Sequence, residues 1–81
     1  MVKIAEFNGF EIFMDDKFKG SPSIKIHYIE DDIDGTIDLC SGDLEGDFDQ
    51  YIKPTLIAWF QCFHERLLEM WSSRNIALLP S

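Results

Sequence analysis

The sequence predicts an α+β protein in which an antiparallel meander of about four strands is covered by one long C-terminal helix. Apolar and polar residues alternate in short runs across the N-terminal half, as is typical of strands with one buried face. Asn8-Gly9 separates the first two runs and favours the tight turn of a β-hairpin. Residues 51–73 place apolar side chains at helical spacing. Together these observations predict one domain spanning residues 1–81.

Strands 1 and 2 are predicted over residues 2–7 and 10–14, on either side of a type I′ turn. A two-residue loop fixes the register, which places three pairs opposite each other: Phe7 with Phe10, Ala5 with Ile12, and Lys3 with Met14. We expect that face to pack. The other face, which carries Ile4, Phe13, Glu6 and Glu11, is expected to be only partly covered.

Strands 3 and 4 are predicted over residues 23–29 and 33–39, after a loop that ends at Pro22. Alternation in strand 3 divides its side chains between two faces, with Ile24, Ile26 and Tyr28 on one and Ser23, Lys25 and His27 on the other. Strand 4 carries Ile33, Gly35, Ile37 and Leu39 in phase. We therefore expect the sheet to have one buried and one exposed face.

The helix is predicted over residues 51–73, with Pro54 tolerated in its first turn. Its packing stripe is formed by Leu56, Phe60, Phe63, Leu67 and Met70. Further apolar residues lie off that stripe, namely Ile57, Ala58, Trp59, Cys62 and Trp71. Either the sheet wraps around the helix or a partner covers the excess. Residues 75–81 are expected to form a short C-terminal tail.

Negative charge is concentrated in residues 30–49, which hold nine acidic residues and no basic one, against a total charge of −8. Such a stretch repels phosphate backbones, so direct nucleic-acid binding is disfavoured. The longest nearly apolar window, residues 56–63, is too short to span a membrane. Cys40 and Cys62 are isolated and no signal-peptide pattern is present, so we expect a cytoplasmic protein with free thiols.

The acidic stretch opens like an EF-hand calcium loop, with carboxylates at the first, third, fifth and ninth places from Glu30 and Gly35 at the sixth. Position twelve would be Ser41 instead of the bidentate glutamate, and a strand pattern precedes the loop where an EF-hand has a helix. The histidines and cysteines have no zinc-ligand spacing. We therefore predict a solvated acidic hairpin, without a metal or a cofactor.

The polar row Ser23, Lys25 and His27 lies on one face of strand 3, where lysine and histidine could bind an anion or transfer a proton. The alternative is an ordinary hydrated sheet face. No nucleophile elbow, phosphate-binding loop or dinucleotide fingerprint is present in the sequence.

Four stretches carry a family resemblance. They are the strand Gly9–Met14, the loop and strand Ser21–Tyr28, the strand and turn Thr36–Gly42, and the helix residues Trp59, Leu67 and Trp71. In order and pattern, over about residues 4–72, they resemble the small prokaryotic family known as domain of unknown function 4160. The resemblance implies a protein partner, because members are often encoded beside another small domain in arrangements similar to toxin–antitoxin pairs.

The paired histidines of that family are replaced here. They fall on Ser23 and Lys25, while the family's helix histidine falls on Phe63, with His64 one position away. His27 lies two residues further along the same strand face. Chemistry that depends on the paired histidines is therefore not expected to carry over unchanged.

Our first hypothesis is a non-catalytic interaction protein that binds a basic protein partner, as one member of a cognate pair or as an acidic inhibitor of a nucleic-acid-binding protein. A homodimer through the C-terminal helix is a further expectation. The predicted partner-binding residues are Asp31, Asp32, Asp34, Asp43, Glu45, Asp47, Ile57, Trp59 and Trp71. Two alternatives remain open: a small nuclease-like enzyme that uses Ser23, Lys25 and His27, and a weak metal-binding module.

Overall fold

A computed structural model describes residues 1–79 of the chain. It contains five strands and one helix: β1 (Val2–Phe7), β2 (Phe10–Met14), β3 (Ser23–Tyr28), β4 (Ile33–Asp38), β5 (Leu44–Glu45) and α1 (Lys53–Ser73). The strands form one antiparallel sheet in the order β1-β2-β3-β4-β5. The predicted α+β class and antiparallel meander are confirmed, and β5 is an additional strand.

Strand β5 was not predicted because it has only two residues, too few to show an alternating pattern, and Gly46 follows it directly. The helix begins two residues later than predicted because Asp49 forms a turn before it. The carboxylate of Asp49 accepts a hydrogen bond from the Tyr51 N–H at 2.8 Å, and its carbonyl accepts one from the Lys53 N–H at 3.1 Å. Strands β3 and β4 each end one residue earlier than expected.

The hairpin between β1 and β2 closes as predicted, since Asn8 and Gly9 have positive φ values of 45° and 83°. Two of the three expected pairs form, Phe7 with Phe10 and Ala5 with Ile12. The third is wrong: Lys3 lies opposite Phe13 and Val2 opposite Met14, because a β-bulge interrupts the register between Lys3 and Ala5. The extra residue, Ile4, therefore lies in the core beside Ala5 rather than on the partly covered face.

The core lies between α1 and one face of the sheet. Strands β2 and β3 supply it with alternate residues, and most of the predicted helix stripe is buried, with Phe63 partly so. Phe48, from the segment after β5, also lies in the core and packs over Gly35. A β-carbon added at Gly35 would lie 2.3 Å from Phe48 Cε2 and 2.4 Å from the Glu45 carbonyl oxygen. Only glycine fits at this position in β4.

Helix α1 ends in a left-handed residue, Arg74, whose N–H donates to the Trp71 carbonyl, while the Asn75 N–H donates to the Met70 carbonyl. The chain then returns to the sheet. Leu79 is only 6% exposed, and its N–H donates to the Ile4 carbonyl at 2.8 Å. The segment predicted as a short C-terminal tail, residues 75–81, has no helix or strand as far as residue 79, but it packs against the sheet, and its last two residues lie outside the described part of the chain.

Within residues 1–79, no helix combines the length and the apolar character needed to cross a membrane.

Candidate functional site

The outer face of the sheet, which we define as the face not covered by α1, carries the polar residues of β3. Ser23 and His27 are partly exposed and Lys25 is exposed, while the residues that alternate with them are buried. The predicted separation of β3 into a packed and an open face is confirmed. The sheet thus presents Ser23, Lys25 and His27 to solvent in one row.

His27 lies in a cross-strand row between two carboxylates. Its register partners are Glu11 on β2 and Asp34 on β4. The Nδ1 atom lies 2.9 Å from Asp34 Oδ1, and Nε2 lies 3.5 Å from Asp32 Oδ1. Carboxylates therefore face both ring nitrogens, an arrangement that orients the ring and opposes the approach of an anion.

Lys25 lies between Phe13 and Thr36 in the neighbouring row, and Ser23 lies opposite Asp38. Residues on a strand advance by roughly 3.3 Å each, so Ser23 and His27 are separated by about 13 Å along β3. A serine nucleophile and its histidine base must come within hydrogen-bond distance. The row therefore does not bring these two residues together as a catalytic pair.

Three grooves mark the outer face. One, of about 270 Å³, is lined by Met1, Phe13, Lys25, His27 and Asp34. A second, of about 290 Å³, is lined by Lys25, Asp34, Gly35, Thr36, Glu45 and Gly46. The third, of about 350 Å³, is lined by Lys19, Ser21, Ser23, Thr36, Asp38, Asp43 and Glu45. The structure thus brings three predicted acidic residues, Asp34, Asp43 and Glu45, onto the same face as the polar row of β3.

Asp38 has a structural role in the loop after β4. Its Oδ1 accepts hydrogen bonds from the backbone N–H groups of Ser41 and Cys40, at 3.0 and 2.8 Å. These bonds stabilise the carboxylate form and lower the pKa of Asp38 below its usual value. Asp38 therefore holds the turn that leads to β5, rather than being free to contact a partner.

The turn between β3 and β4 gathers further acidic groups around Tyr28. The Tyr28 hydroxyl donates to Glu30 Oε2 at 3.1 Å. Burial, followed by this hydrogen bond and the nearby charges of Glu30, Asp31 and Asp49, raises the pKa of Tyr28 above its usual value. Asp49 precedes α1, so carboxylates from two distant parts of the sequence meet at this end of the sheet.

The six acidic side chains predicted to bind a partner are all exposed: Asp31, Asp32, Asp34, Asp43, Glu45 and Asp47. Within residues 1–79, none of the nine carboxylates of the acidic stretch forms a salt bridge with a lysine or arginine; the only basic side chain within 4 Å of any of them is that of His27. We call residues 30–49 the acidic surface. Its charge is not neutralised by the rest of the described chain.

The two tryptophans do not belong to an exposed surface, contrary to the sequence-based expectation. Trp59 is 8% exposed and stacks on Phe7 with ring centroids 5.1 Å apart. Trp71 is 9% exposed and meets the Phe18 ring edge-on at 5.3 Å. The first hairpin and the loop after β2 thus cover the two tryptophans, whereas Ala58 and Cys62 of the same excess are exposed. Ile57 is partly buried.

One polar atom in this covered region has no partner. The indole nitrogen of Trp59 is buried and makes no hydrogen bond with any described residue. The helix also lies on the opposite side of the sheet from the outer face. The acidic residues of the outer face, Asp34, Asp43 and Glu45, therefore lie on the other side of the sheet from Ile57, Trp59 and Trp71.

The remaining candidate ligands are dispersed. Cys40 and Cys62 are exposed free thiols. The His64 ring packs against Phe60, and its Nε2 atom lies within hydrogen-bond distance of the Leu39 carbonyl, which joins α1 to the end of β4. Among residues 1–79, no three histidine, cysteine or acidic side chains are grouped closely enough to hold a metal ion.

The sequence-based reasoning missed the cross-strand neighbours of the polar row, Glu11 and Phe13 of β2 and Thr36 of β4. The signal was present for β2, because the hairpin register combined with alternation assigns Glu11 and Phe13 to the face opposite the core. The pairing of β3 with β4 depends on the turn at residues 29–32, whose geometry the sequence does not specify. Asp32 there adopts a positive φ of 51°.

Comparison of the chain with protein-family models, with curated proteins and with solved structures found no match. The resemblance to the domain of unknown function 4160 family therefore stays a prediction.

Proposed function

We propose that the protein is a non-catalytic interaction module that binds a basic protein partner through the acidic surface. The observation that carries the proposal is the set of nine carboxylates in residues 30–49 that have no lysine or arginine partner in the described chain. Carboxylates that served only to stabilise the fold would be expected to pair with basic residues or to be hydrogen-bonded internally. Five of the nine have a contact within the chain: Glu30 with Tyr28, Asp32 and Asp34 with His27, and Asp38 and Asp49 with backbone N–H groups. The side chains of Asp31, Asp43, Glu45 and Asp47 are exposed and make no hydrogen bond or ion pair with a described residue.

The acidic surface is held by regular structure over part of its length. Asp34 and Glu45 project from β4 and β5, and Asp43 lies directly before β5. A charge held on a strand loses less conformational freedom on binding than one on a disordered tail. At physiological ionic strength, screening acts over about 8 Å, so a basic partner interacts with several of these charges only at close range. This arrangement favours specific docking over non-specific attraction.

The chemistry of the surface suits a protein that itself binds nucleic acid, because such a protein carries a basic face that an acidic inhibitor can cover. It equally suits the cognate partner in a toxin–antitoxin-like pair, as the family resemblance implies. We place both roles in the cytoplasm, where exposed Cys40 and Cys62 would remain reduced.

The test compares two double variants that remove the same number of charges. Asp43→Asn with Glu45→Gln neutralises the acidic surface, and Glu65→Gln with Glu69→Gln neutralises two exposed positions on α1. The immobilised chains capture proteins from a lysate of the source cells, with elution at rising salt. We expect the wild type and the helix variant to retain the same basic protein at low salt, and the acidic-surface variant to recover at least tenfold less. Equal recovery by both variants would contradict the proposal.

A nuclease-like activity is the second candidate, favoured by the hydrogen-bond distance between His27 Nδ1 and Asp34 Oδ1, since a carboxylate that orients an imidazole is common in general-base sites. Because Asp32 and Asp34 repel a phosphate at His27, the substrate anion would have to be bound by Lys25, the adjacent basic residue on the outer face. The double variant Lys25→Met and His27→Gln should then abolish growth inhibition on overexpression, while Lys53→Met on α1 should not. Absence of growth inhibition by the wild type would remove support for this candidate.

A further inference from the structure

The C-terminal segment Ile76–Leu79, which we call the strap, lies against the edge strand β1. The Leu79 side chain is 6% exposed and belongs to the core, while its neighbour Leu78 is 77% exposed. A groove of about 380 Å³ lies between the strap and residues 3–6 of β1. Among the described residues, the Leu79 N–H to Ile4 carbonyl bond is the one backbone hydrogen bond from outside the sheet to β1. The strap is thus held by two apolar side chains, the buried Leu79 and the partly buried Ile76, and by one backbone hydrogen bond.

An edge strand presents unpaired backbone groups that can pair with another chain. In β1, Phe7 pairs with Phe10 across the two-residue turn. Because the backbone N–H and C=O groups of successive residues in an antiparallel strand point alternately towards and away from the neighbouring strand, those of Glu6 point away from β2. The strap, bonded to the Ile4 carbonyl, covers the centre of this edge. Exposed apolar residues also collect beside it: Met1, Val2 and Leu78.

Charge decides which edge of the sheet can accept a second copy of the chain. Residues 1–29 have a net charge of zero, whereas residues 30–49 carry −9. Two copies joined through β5 would place their acidic surfaces together. Two copies joined through β1 would form a ten-stranded sheet that separates the two β5 strands by roughly 40 Å, at about 4.8 Å per strand. That separation is several times the screening length at physiological salt.

The side chains of β1 are also self-complementary. The bulge places Lys3 and Glu6 on the same face, where Lys3 Nζ donates to Glu6 Oε1 and, at 3.0 Å, to Glu11 Oε2. A two-fold axis that crosses β1 near Ile4 and Ala5 brings Lys3 of each copy towards Glu6 of the other. Such reciprocal contacts are the mark of an isologous interface.

We propose that the strap is a displaceable cover of the β1 edge, and that its release allows two copies of the chain to pair antiparallel through β1. With the strap bound, the chain is a monomer. With the strap released, the dimer presents one acidic surface at each end of a continuous sheet. The dimer leaves the outer face of α1 uninvolved, in contrast to the homodimer expected through that helix.

Two adjacent leucines provide a matched test. Leu79→Ala removes the most deeply buried side chain of the strap, and Leu78→Ala makes the same change at an exposed position. Sedimentation equilibrium measures the dimer dissociation constant of each purified chain. We expect Leu79→Ala to lower it at least tenfold relative to the wild type, and Leu78→Ala to change it by less than twofold. Adding Glu6→Pro to Leu79→Ala removes an outward N–H on the edge, and should restore the monomer.

A folded Leu79→Ala variant that stays monomeric, or one whose dimer is unaffected by Glu6→Pro, would overturn the proposal. If Leu79→Ala does not fold, hydrogen exchange on the wild type decides. A displaceable strap requires the Leu79 amide to exchange at least a hundredfold faster than the amides of the central strand β3. Equal protection would show that the strap opens only when the whole chain unfolds, and would also overturn the proposal.

Discussion

Replacing Gly35 with alanine tests how the segment after β5 is held against the sheet. The new β-carbon would lie 2.3 Å from Phe48 Cε2 and 2.4 Å from the Glu45 carbonyl oxygen. The Phe48 ring could move by changing its rotamer, but the carbonyl belongs to the backbone of β5 and can move only if β5 leaves β4. Overpacking a core usually costs about 1–3 kcal/mol. Because a backbone atom is involved here, we expect a loss of about 3 kcal/mol.

That loss is large relative to the stability of a small domain. At roughly 0.05–0.15 kcal/mol per residue, a chain of 81 residues unfolds with a free energy of about 4–12 kcal/mol. Urea unfolding followed by tryptophan fluorescence measures the change, since Trp59 and Trp71 are both buried in the fold. Gly20→Ala is the control, because its φ of 74° is strained for alanine but no atom lies within 4 Å of the added β-carbon. If Gly35→Ala were no more destabilising than Gly20→Ala, the packing of Phe48 over β4 would be wrong.

Three further predictions concern stability. Trp59→Phe should change the free energy of unfolding, measured in urea, by less than about 1 kcal/mol, because removing the unpartnered indole N–H offsets the loss of buried apolar area. Trp59→Ala should lower the same free energy by about 3–5 kcal/mol. Asp38→Asn should lower the urea midpoint at pH 7, and should make that midpoint fall less as the pH drops below 4. The pKa of the Asp38 carboxyl is lower in the folded state than in the unfolded state, so its charged form stabilises the fold above the unfolded pKa. This stabilisation is lost as acid protonates the carboxylate. Asp43→Asn with Glu45→Gln should raise the urea midpoint at low salt by relieving like-charge repulsion, and this difference should vanish in 1 M NaCl, where screening acts over about 3 Å.

Local sequence patterns predicted the parts of the fold that depend on local chemistry. Asn8-Gly9 specified the first hairpin because both residues tolerate positive φ, and the alternation in β3 separated Ile24 and Ile26 from Lys25 and His27. The bulge at Ile4 left no such signal. The bulge allows Ile4 and Ala5 to pack in the core together, which depends on tertiary contacts and not on the residues next to them in sequence.

The candidate site was predicted only in part for a related reason. The exposure of Lys25 and His27 follows from alternation, but the carboxylate of Asp34 beside His27 depends on the register between β3 and β4. Trp59 and Trp71 were placed off the packing stripe, but at about 100° per residue they lie at its two edges, about 20° beyond Met70 and Phe60. Their burial comes from Phe7 and Phe18, which lie in distant parts of the sequence.

The affinity between this chain and the basic protein that it captures shows whether the acidic surface is the binding site. Fluorescence anisotropy with both purified proteins would give the dissociation constant at 50, 150 and 500 mM salt for the wild type and the two double variants. We expect Asp43→Asn with Glu45→Gln to weaken binding at least tenfold at 150 mM salt, and Glu65→Gln with Glu69→Gln to leave it within twofold. Binding that is insensitive to salt and unchanged by loss of the acidic-surface charges would contradict this expectation.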